Sequence, residues 1–245
     1  MSELIWGVNP VLEALRSRPQ KIEEIWLWRR GLKGRRYRIL ELARAFDIPV
    51  KVVRSFHPPK VPPEAKTQGV VAYLRAFDYN SWEEFESHLQ GLRTPPLIVL
   101  LDELTDPQNV GSLIRSAEAL GASGLILPKH RSAGVTPAVV KASAGAVFHL
   151  PIVRVVNLRQ TIRRLKEKGL LTFGLSPEGT NLIFELDLTG PLALVVGSEG
   201  RGLREGVKRE CDRLVRIPMK GEVDSLNAAV AGAIALYEVL RQRSV

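Results

Sequence analysis

Six nearly unbroken apolar runs punctuate the latter part of this chain, and they limit its possible folds more than any other feature. They read LIVLL from Leu97, GLILP from Gly124, LPIVRVV from Leu150, LLTFGL from Leu170, LALVVG from Leu192 and LVRIP from Leu214. A strand with one wet face alternates apolar and polar residues, whereas a run that is apolar throughout has both faces covered. Between the runs lie segments of helical periodicity, clearest at 111–120, 158–168, 203–209 and 226–241. Doubly covered strands alternating with helices specify an α/β fold on a mostly parallel sheet. Ligands bind such sheets beyond the carboxyl ends of the strands, so chemistry is expected in the loops that follow the runs.

The residues before 97 have a different texture. A short turn and helix are expected over 5–16, a strand over 25–28, a helix over 37–46, and strands over 50–53 and 69–74. The four prolines of HPPKVPPEAK (57–66) forbid regular structure and predict an exposed loop. Three units are therefore expected: a small α/β unit over 1–76, an acidic linker with a short helix over 77–96, and the parallel-sheet unit over 97–245. Charge follows this division. Residues 1–75 carry 15 Lys/Arg against 7 Asp/Glu, while 76–245 carry 20 against 19. The surplus is densest at Arg29, Arg30, Lys33, Arg35, Arg36 and Arg38, interleaved with Trp26, Trp28 and Tyr37. Basic residues among aromatics favour nucleic acid over a membrane surface. The alternation of Trp26 and Trp28 suggests one core ring and one stacking ring.

No apolar run approaches the ~18–20 residues of a membrane span, and MSELIWGVNP lacks the pattern of a secretion signal. The single cysteine, Cys211, excludes an intrachain disulfide, fits a reducing compartment and lies in none of the motif loops. A cytoplasmic protein is expected. His57, His88, His130 and His149 show no ligand spacing, so no metal site is expected.

Three loops carry suspicious residues. DELTDPQNVGSLIRSAEALG follows the first run, with Asn109 placed to cap a helix and Gly121 to stop it. Arg115 stands in a helix otherwise built of small and apolar residues, and either pairs with Glu118 or reaches a phosphate or carboxylate. GSEGRGLR follows LALVV; its G-x-x-G-x-G spacing is not the dinucleotide fingerprint, and Glu199 is held between glycines at a strand end. The third loop, IPMKGEVDSLN, leads into a helix rich in Ala and Gly, with Asp224, Ser225 and Asn227 at its start.

In order, Asn109-Val-Gly-Ser-Leu-Ile-Arg115, Val196-Gly-Ser-Glu-Gly-Arg-Gly-Leu203, and Ile217-Pro-Met with Ser225-Leu-Asn-Ala-Ala-Val-Ala form a set over roughly 97–241. The set resembles the signature motifs of the SpoU (TrmH-type) family of RNA ribose 2′-O-methyltransferases, within the SPOUT class. Gly7-Val-Asn9-Pro-Val-Leu-Glu-Ala-Leu15 and Gln68-Gly-Val-Val-Ala72 resemble the ribosomal-protein-L30e-like substrate-binding domain of the branch acting on 23S rRNA, with Thr67 where that branch often has a histidine. The resemblance implies a trefoil-knotted sheet, S-adenosylmethionine as methyl donor, and a homodimer with active sites near its interface. It assigns Asn109, Arg115, Glu199, Ser225 and Asn227 to the reacting ribose, and Gly197, Ile217, Met219 and Leu226 to the cofactor, with help from the loop after Leu175. The expected substrate is a guanosine of 23S rRNA, with a tRNA ribose as the alternative. An inactive RNA-binding assembly factor would have no reason to retain all five ribose-site residues. Methylation of a base nitrogen fits these motifs less well, and a dehydrogenase would need the missing glycine fingerprint.

Overall fold

The computed structural model describes residues 3–244 and arranges their strands in two sheets. The first contains β1 (Glu3–Trp6), β2 (Ile22–Trp28), β3 (Val50–Val53) and β4 (Val70–Leu74) in the order β1-β4-β2-β3. β2 and β3 run parallel; β4 is antiparallel to both β1 and β2. Helices α1 (Val8–Ser17) and α2 (Arg35–Ala45) bury Leu12, Leu15, Ile39 and Ala43 in one core with Ile5, Ile25, Leu27, Val70 and Ala72. Period two then settles the tryptophans. Ile25 and Leu27 point inward, so Trp26 and Trp28 share the opposite face, and both are half-buried. The expectation of one core ring and one stacking ring is corrected by this register. β1 also lies where a turn was expected, because Leu4-Ile5-Trp6 pairs with the distant β4.

A connecting segment carries α3 (Trp82–Gln90), started by a capping box in which Glu84 N–H donates to Ser81 Oγ at 3.1 Å and Ser81 N–H donates to Glu84 Oε2 at 2.8 Å. It docks on the second sheet through Asn80, whose N–H donates to the Ile152 carbonyl and whose Oδ1 accepts from Ile152 N–H.

Beyond it, each apolar run becomes a strand: β5 (Leu97–Asp102), β6 (Gly124–Pro128), β7 (Ile152–Val155), β8 (Leu171–Leu175), β10 (Leu192–Gly197) and β11 (Arg213–Arg216), joined by the two-residue β9 (Asn181–Leu182). All neighbours pair in parallel, in the order β7-β6-β5-β10-β8-β11-β9. The helices are α4 (Pro107–Ala119), α5 (Pro137–Ala142), α6 (Leu158–Glu167), α7 (Glu205–Lys208) and α8 (Ala228–Arg243). β5 shows why the run had to be apolar throughout. Leu97, Val99 and Leu101 join a cluster with α4, α5 and α8, while Ile98 and Leu100 join another with α3, α6 and α7. Each such side chain contributes roughly 1.5–3 kcal/mol by leaving water.

The first cluster runs on into the N-terminal unit without a break. Lys141 of α5 sits over the Trp6 ring, 5.6 Å from its centroid, in cation–π contact, and His149 Nε2 lies 2.9 Å from Glu13 Oε2.

Candidate active site

The carboxyl ends of β5 and β10 are adjacent, with Gly197 opposite Asp102 in register. Their loops therefore converge, and the chain leading into α8 joins them. Residues 217–227 form no regular element, so Asp224 and Ser225 precede the helix and Asn227 alone caps it. Asn227 Oδ1 accepts from Ala229 N–H at 2.9 Å and Val230 N–H at 3.2 Å. Its Nδ2 donates to Asn109 Oδ1 at 2.9 Å and to Glu199 Oε1. One amide thus closes the helix and ties all three loops together. Asn109 does not cap α4, as its sequence position suggested. Asp106 does, accepting from Gln108 N–H at 3.0 Å with Pro107 in the first turn, which leaves Asn109 free to turn inward.

Below this junction lies a cleft of about 730 Å³. Gly197, Glu199, Ile217, Met219, Ser225, Leu226 and Asn227 all line it, as do Leu175 and Ser176 of the loop after β8. Its walls are apolar at Leu175, Val196, Val215, Ile217 and Leu226. The peptide groups of Ile217, Met219 and Leu226 make no hydrogen bond within the described residues. Apolar walls edged by free peptide donors and acceptors fit a flat heteroaromatic ring such as adenine. Gly197 is required here by contact: a Cβ would lie 2.3 Å from the Gly202 carbonyl carbon, so any side chain would force the glutamate loop away.

Arg115 stands apart from the cleft. It is exposed on α4, and it forms neither the Glu118 ion pair nor any other bond among the described residues. It is a guanidinium free to meet a partner from outside.

With these loops in place, the comparison with known proteins is decisive. The profile of the SpoU rRNA Methylase family matches residues 96–237, and that of the RNA 2′-O ribose methyltransferase substrate binding domain matches 4–80. The chain belongs to the SpoU family. It is 40% identical over 246 residues to the 23S rRNA (guanosine-2′-O-)-methyltransferase RlmB of Pseudomonas putida, covering 99% of this chain and 98% of that protein. It is 38% identical over 245 residues to the putative TrmH family tRNA/rRNA methyltransferase YacO of Bacillus subtilis, covering 99% and 96%. Among solved structures, the SpoU methyltransferase AviRb from Streptomyces viridochromogenes in complex with AdoMet superposes with a TM-score of 0.81 at 31% identity, covering 99% of this chain and 91% of that one.

The SpoU glutamate loop also depends on two residues that sequence reasoning passed over. Asp102 is fully buried at the end of β5 and accepts from the Arg204 backbone N–H at 2.9 Å and Arg204 Nε at 2.8 Å. Arg204 Nη2 lies 2.6 Å from the same carboxylate, and Nη1 reaches Glu103 at 3.3 Å. This fork pins the residue after Gly202-Leu203 and so fixes where Glu199 stands. A carboxylate ending an apolar strand was the available signal. Cys211 is chemically quiet: burial, then the neighbouring Asp212 charge, push its thiol up to about 12.

The basic residues of the SpoU substrate-binding part do not all share one role. Arg29, Arg30, Lys33 and Arg35 are exposed, and Arg38 is exposed while pairing with Glu41 at 3.3 Å. Arg36 is half-buried and donates to the Arg30 and Gly31 carbonyls, so it also shapes the loop.

Proposed function

We infer that this protein methylates the 2′-hydroxyl of a guanosine in 23S rRNA, using S-adenosylmethionine as donor. The observation that carries this reading is the Asn109–Asn227–Glu199 junction at the mouth of a cleft suited to the donor's adenine. Family membership and the 23S rRNA (guanosine-2′-O-)-methyltransferase activity of the RlmB relative agree with it. Bound in the cleft, the donor supplies an electrophilic methyl group on a sulfonium. The chain's own task is to orient a ribose in line with that methyl and to manage the hydroxyl proton.

Glu199 and Asn227 hold each other at the cleft mouth, and Ser225 beside them offers a rotatable hydroxyl to the ribose. Asn109 fixes the amide of Asn227 from behind. Arg115 is assigned to the phosphate next to the target ribose, where its permanent charge stabilises the developing 2′-oxyanion. The proton passes to that phosphate or to water. Gly197, Ile217, Met219 and Leu226 hold the donor.

The architecture we propose around this site has three further parts. Residues 1–76 form an RNA-binding unit resembling ribosomal protein L30e, 77–96 a linker and 97–245 the catalytic unit; Arg29, Arg30, Lys33, Arg35, Arg36 and Arg38 supply phosphate contacts. The catalytic unit is threaded as a trefoil knot. Supporting this, β11 is hydrogen-bonded between β8 and β9, so the 176–180 loop joining those strands straps across it. Ser176 N–H donates to the Val215 carbonyl, and a Cβ on Gly179 would lie 2.7 Å from the Val215 backbone. Finally, the working form is a homodimer. Val230, Ile234, Tyr237 and Leu240 make an exposed apolar stripe along α8, with Val230 47% and Tyr237 58% accessible. Ile234→Glu should convert dimer to monomer in light scattering; an unchanged mass removes α8 from the interface. No helix among the described residues is long and apolar enough to cross a membrane, and an rRNA substrate supports a cytoplasmic location.

The test is to incubate the protein and labelled S-adenosylmethionine with unmodified 23S rRNA and tRNA and to map the label. Ribose methylation of one 23S guanosine is expected. Label on a base, or on neither RNA, overturns the reading, and label on tRNA alone transfers it to that substrate.

A further inference from the structure

A second cavity of about 830 Å³ opens in the N-terminal unit, at the end of the sheet where β2 and β3 finish and β4 begins. Its walls include Trp28, Phe56, Arg36, Arg54, Thr67 and Gln68. The Trp28 and Phe56 rings lie 6.3 Å apart at 33°, giving a continuous aromatic wall, and Arg30 of the basic loop sits 6.0 Å from the Trp28 ring. Trp28 is itself fixed, since its Nε1 donates to the Arg54 carbonyl at 3.1 Å.

The polar lining is unusual in sign. Gln68 Oε1 accepts from Val8 N–H at 2.9 Å, which sets the amide's orientation and leaves its NH₂ without a bond among the described residues. Gln68 holds this position in left-handed backbone, φ 56°, a conformation that a residue with a side chain adopts at a cost. Arg54 adds an unspent guanidinium, whereas that of Arg36 is taken up by the Arg30 and Gly31 carbonyls. Ser55 and His57 of the same lining bond each other at 3.0 Å and Thr67 Oγ1 accepts from Gly69 N–H at 3.3 Å, so the side-chain groups left unspent beside the aromatic wall at Gln68 and Arg54 are donors. A flat ring with an acceptor-rich edge matches this arrangement, and guanine, with O6 and N7 adjacent, is the base whose major-groove edge presents two acceptors.

We propose that this pocket receives one unpaired guanine of the RNA substrate, separate from the base whose ribose is methylated. The ring stacks on Trp28 and Phe56, its O6/N7 edge faces Gln68 and Arg54, and its phosphates lie along Arg29 and Arg30. The inference rests on the reading of this chain as an RNA methyltransferase. It turns the basic loop from a general phosphate-binding surface into the rim of a specific subsite, one that reads RNA shape and sequence away from the reaction.

The experiment uses the full-length protein and a 23S rRNA fragment carrying single abasic substitutions at its unpaired guanosines. Affinity is measured by fluorescence anisotropy without cofactor, and S-adenosylmethionine binding is measured separately by calorimetry as a check on the fold. One abasic position should weaken wild-type binding by about 5- to 100-fold, the range of a base–aromatic stack. Trp28→Ala should bind the intact RNA equally weakly and lose nothing further at that position, while Trp28→Phe regains most of the affinity. Gln68→Ala should reduce the preference for guanine over adenine there. Because stacking releases no counterions, Trp28→Ala keeps the wild-type salt dependence, whereas Arg29→Ala lowers it. Equal losses for wild type and Trp28→Ala at every abasic position overturn the proposal. Failure of RNA methylation with the abasic pattern intact would instead strike the catalytic reading and leave the pocket standing.

Discussion

Replacing Asn227 by aspartate separates two jobs that one side chain performs. An aspartate still accepts from the Ala229 and Val230 N–H groups that Asn227 now holds at 2.9 and 3.2 Å. Its charge at a helix start even adds about 0.3–1 kcal/mol. The donor is lost, however, and with it the bonds to Asn109 and Glu199. A neutral bond is worth about 0.5–1.5 kcal/mol and one to a carboxylate about 1.5–3 kcal/mol. Two carboxylates about 4 Å apart then repel by about 1 kcal/mol in a water-like medium, and more where water is excluded. Glu199 is exposed, so the lower figure applies. The net disturbance of about 2–5 kcal/mol corresponds to roughly 30- to 5,000-fold in kcat/KM. The sign of the pH response follows. Like charges raise the pKa of one carboxyl, and its protonated form restores a donor. The ratio of variant to wild-type kcat/KM should therefore rise as pH falls from about 8.5 to 5.5, while that of Asn227→Ala, which cannot titrate, stays flat. Methyl transfer to an rRNA fragment, measured for all three proteins across that range, provides the assay. A flat ratio for Asn227→Asp, or wild-type activity at pH 8, would refute the coupling.

Three further outcomes are expected. Arg115→Lys should keep the wild-type melting temperature, because Arg115 has no bond to lose among the described residues, and most of the RNA affinity, because lysine keeps the charge that faces the phosphate, yet lower turnover about 100-fold; near-normal turnover would remove Arg115 from the reaction. Arg204→Met strands the buried Asp102 carboxylate at a cost of about 3–5 kcal/mol, lowering the melting temperature by roughly 10 °C. The double variant with Asp102→Asn should regain part of that loss; no recovery would show that the pair does not act as a unit. Cys211, with its thiol raised to about 12, is ionised in roughly one molecule in 10⁴ at pH 8, so thiol reagents should label it only on unfolding. Rapid labelling of the native protein would contradict this.

The central strands β5, β6 and β10 were legible because burial on both faces leaves a local mark, a run with no polar residue, and the other runs are broken only by Arg154, Thr172 and Arg216. The junction was legible only as three separate loops. Asn109 read as a cap because caps are recognised by residue type, and the competing Asp106-Pro107 pair was the better local candidate. Arg204 and Asp102 are 102 positions apart, and no local pattern couples a charge to a partner at that distance. β1 was missed for the same reason, since its strand character comes from pairing with β4. The tryptophans were a lapse of period: residues two apart in a strand share a face.

The position of β10 carries a consequence for synthesis. β10 lies at the centre of the seven-stranded sheet, between β5 and β8, yet both neighbours leave the ribosome before it. Leu192 follows Leu97 by 95 residues (192 − 97), an interval of roughly 5–20 s at ordinary elongation rates. Throughout that interval the edge of β5, apolar at all of its first five positions, has no partner of its own. A nascent chain of this protein therefore offers any other unfolded chain a six-residue template, and its solubility in a crowded cell depends on how soon translation delivers the strand that fills the gap.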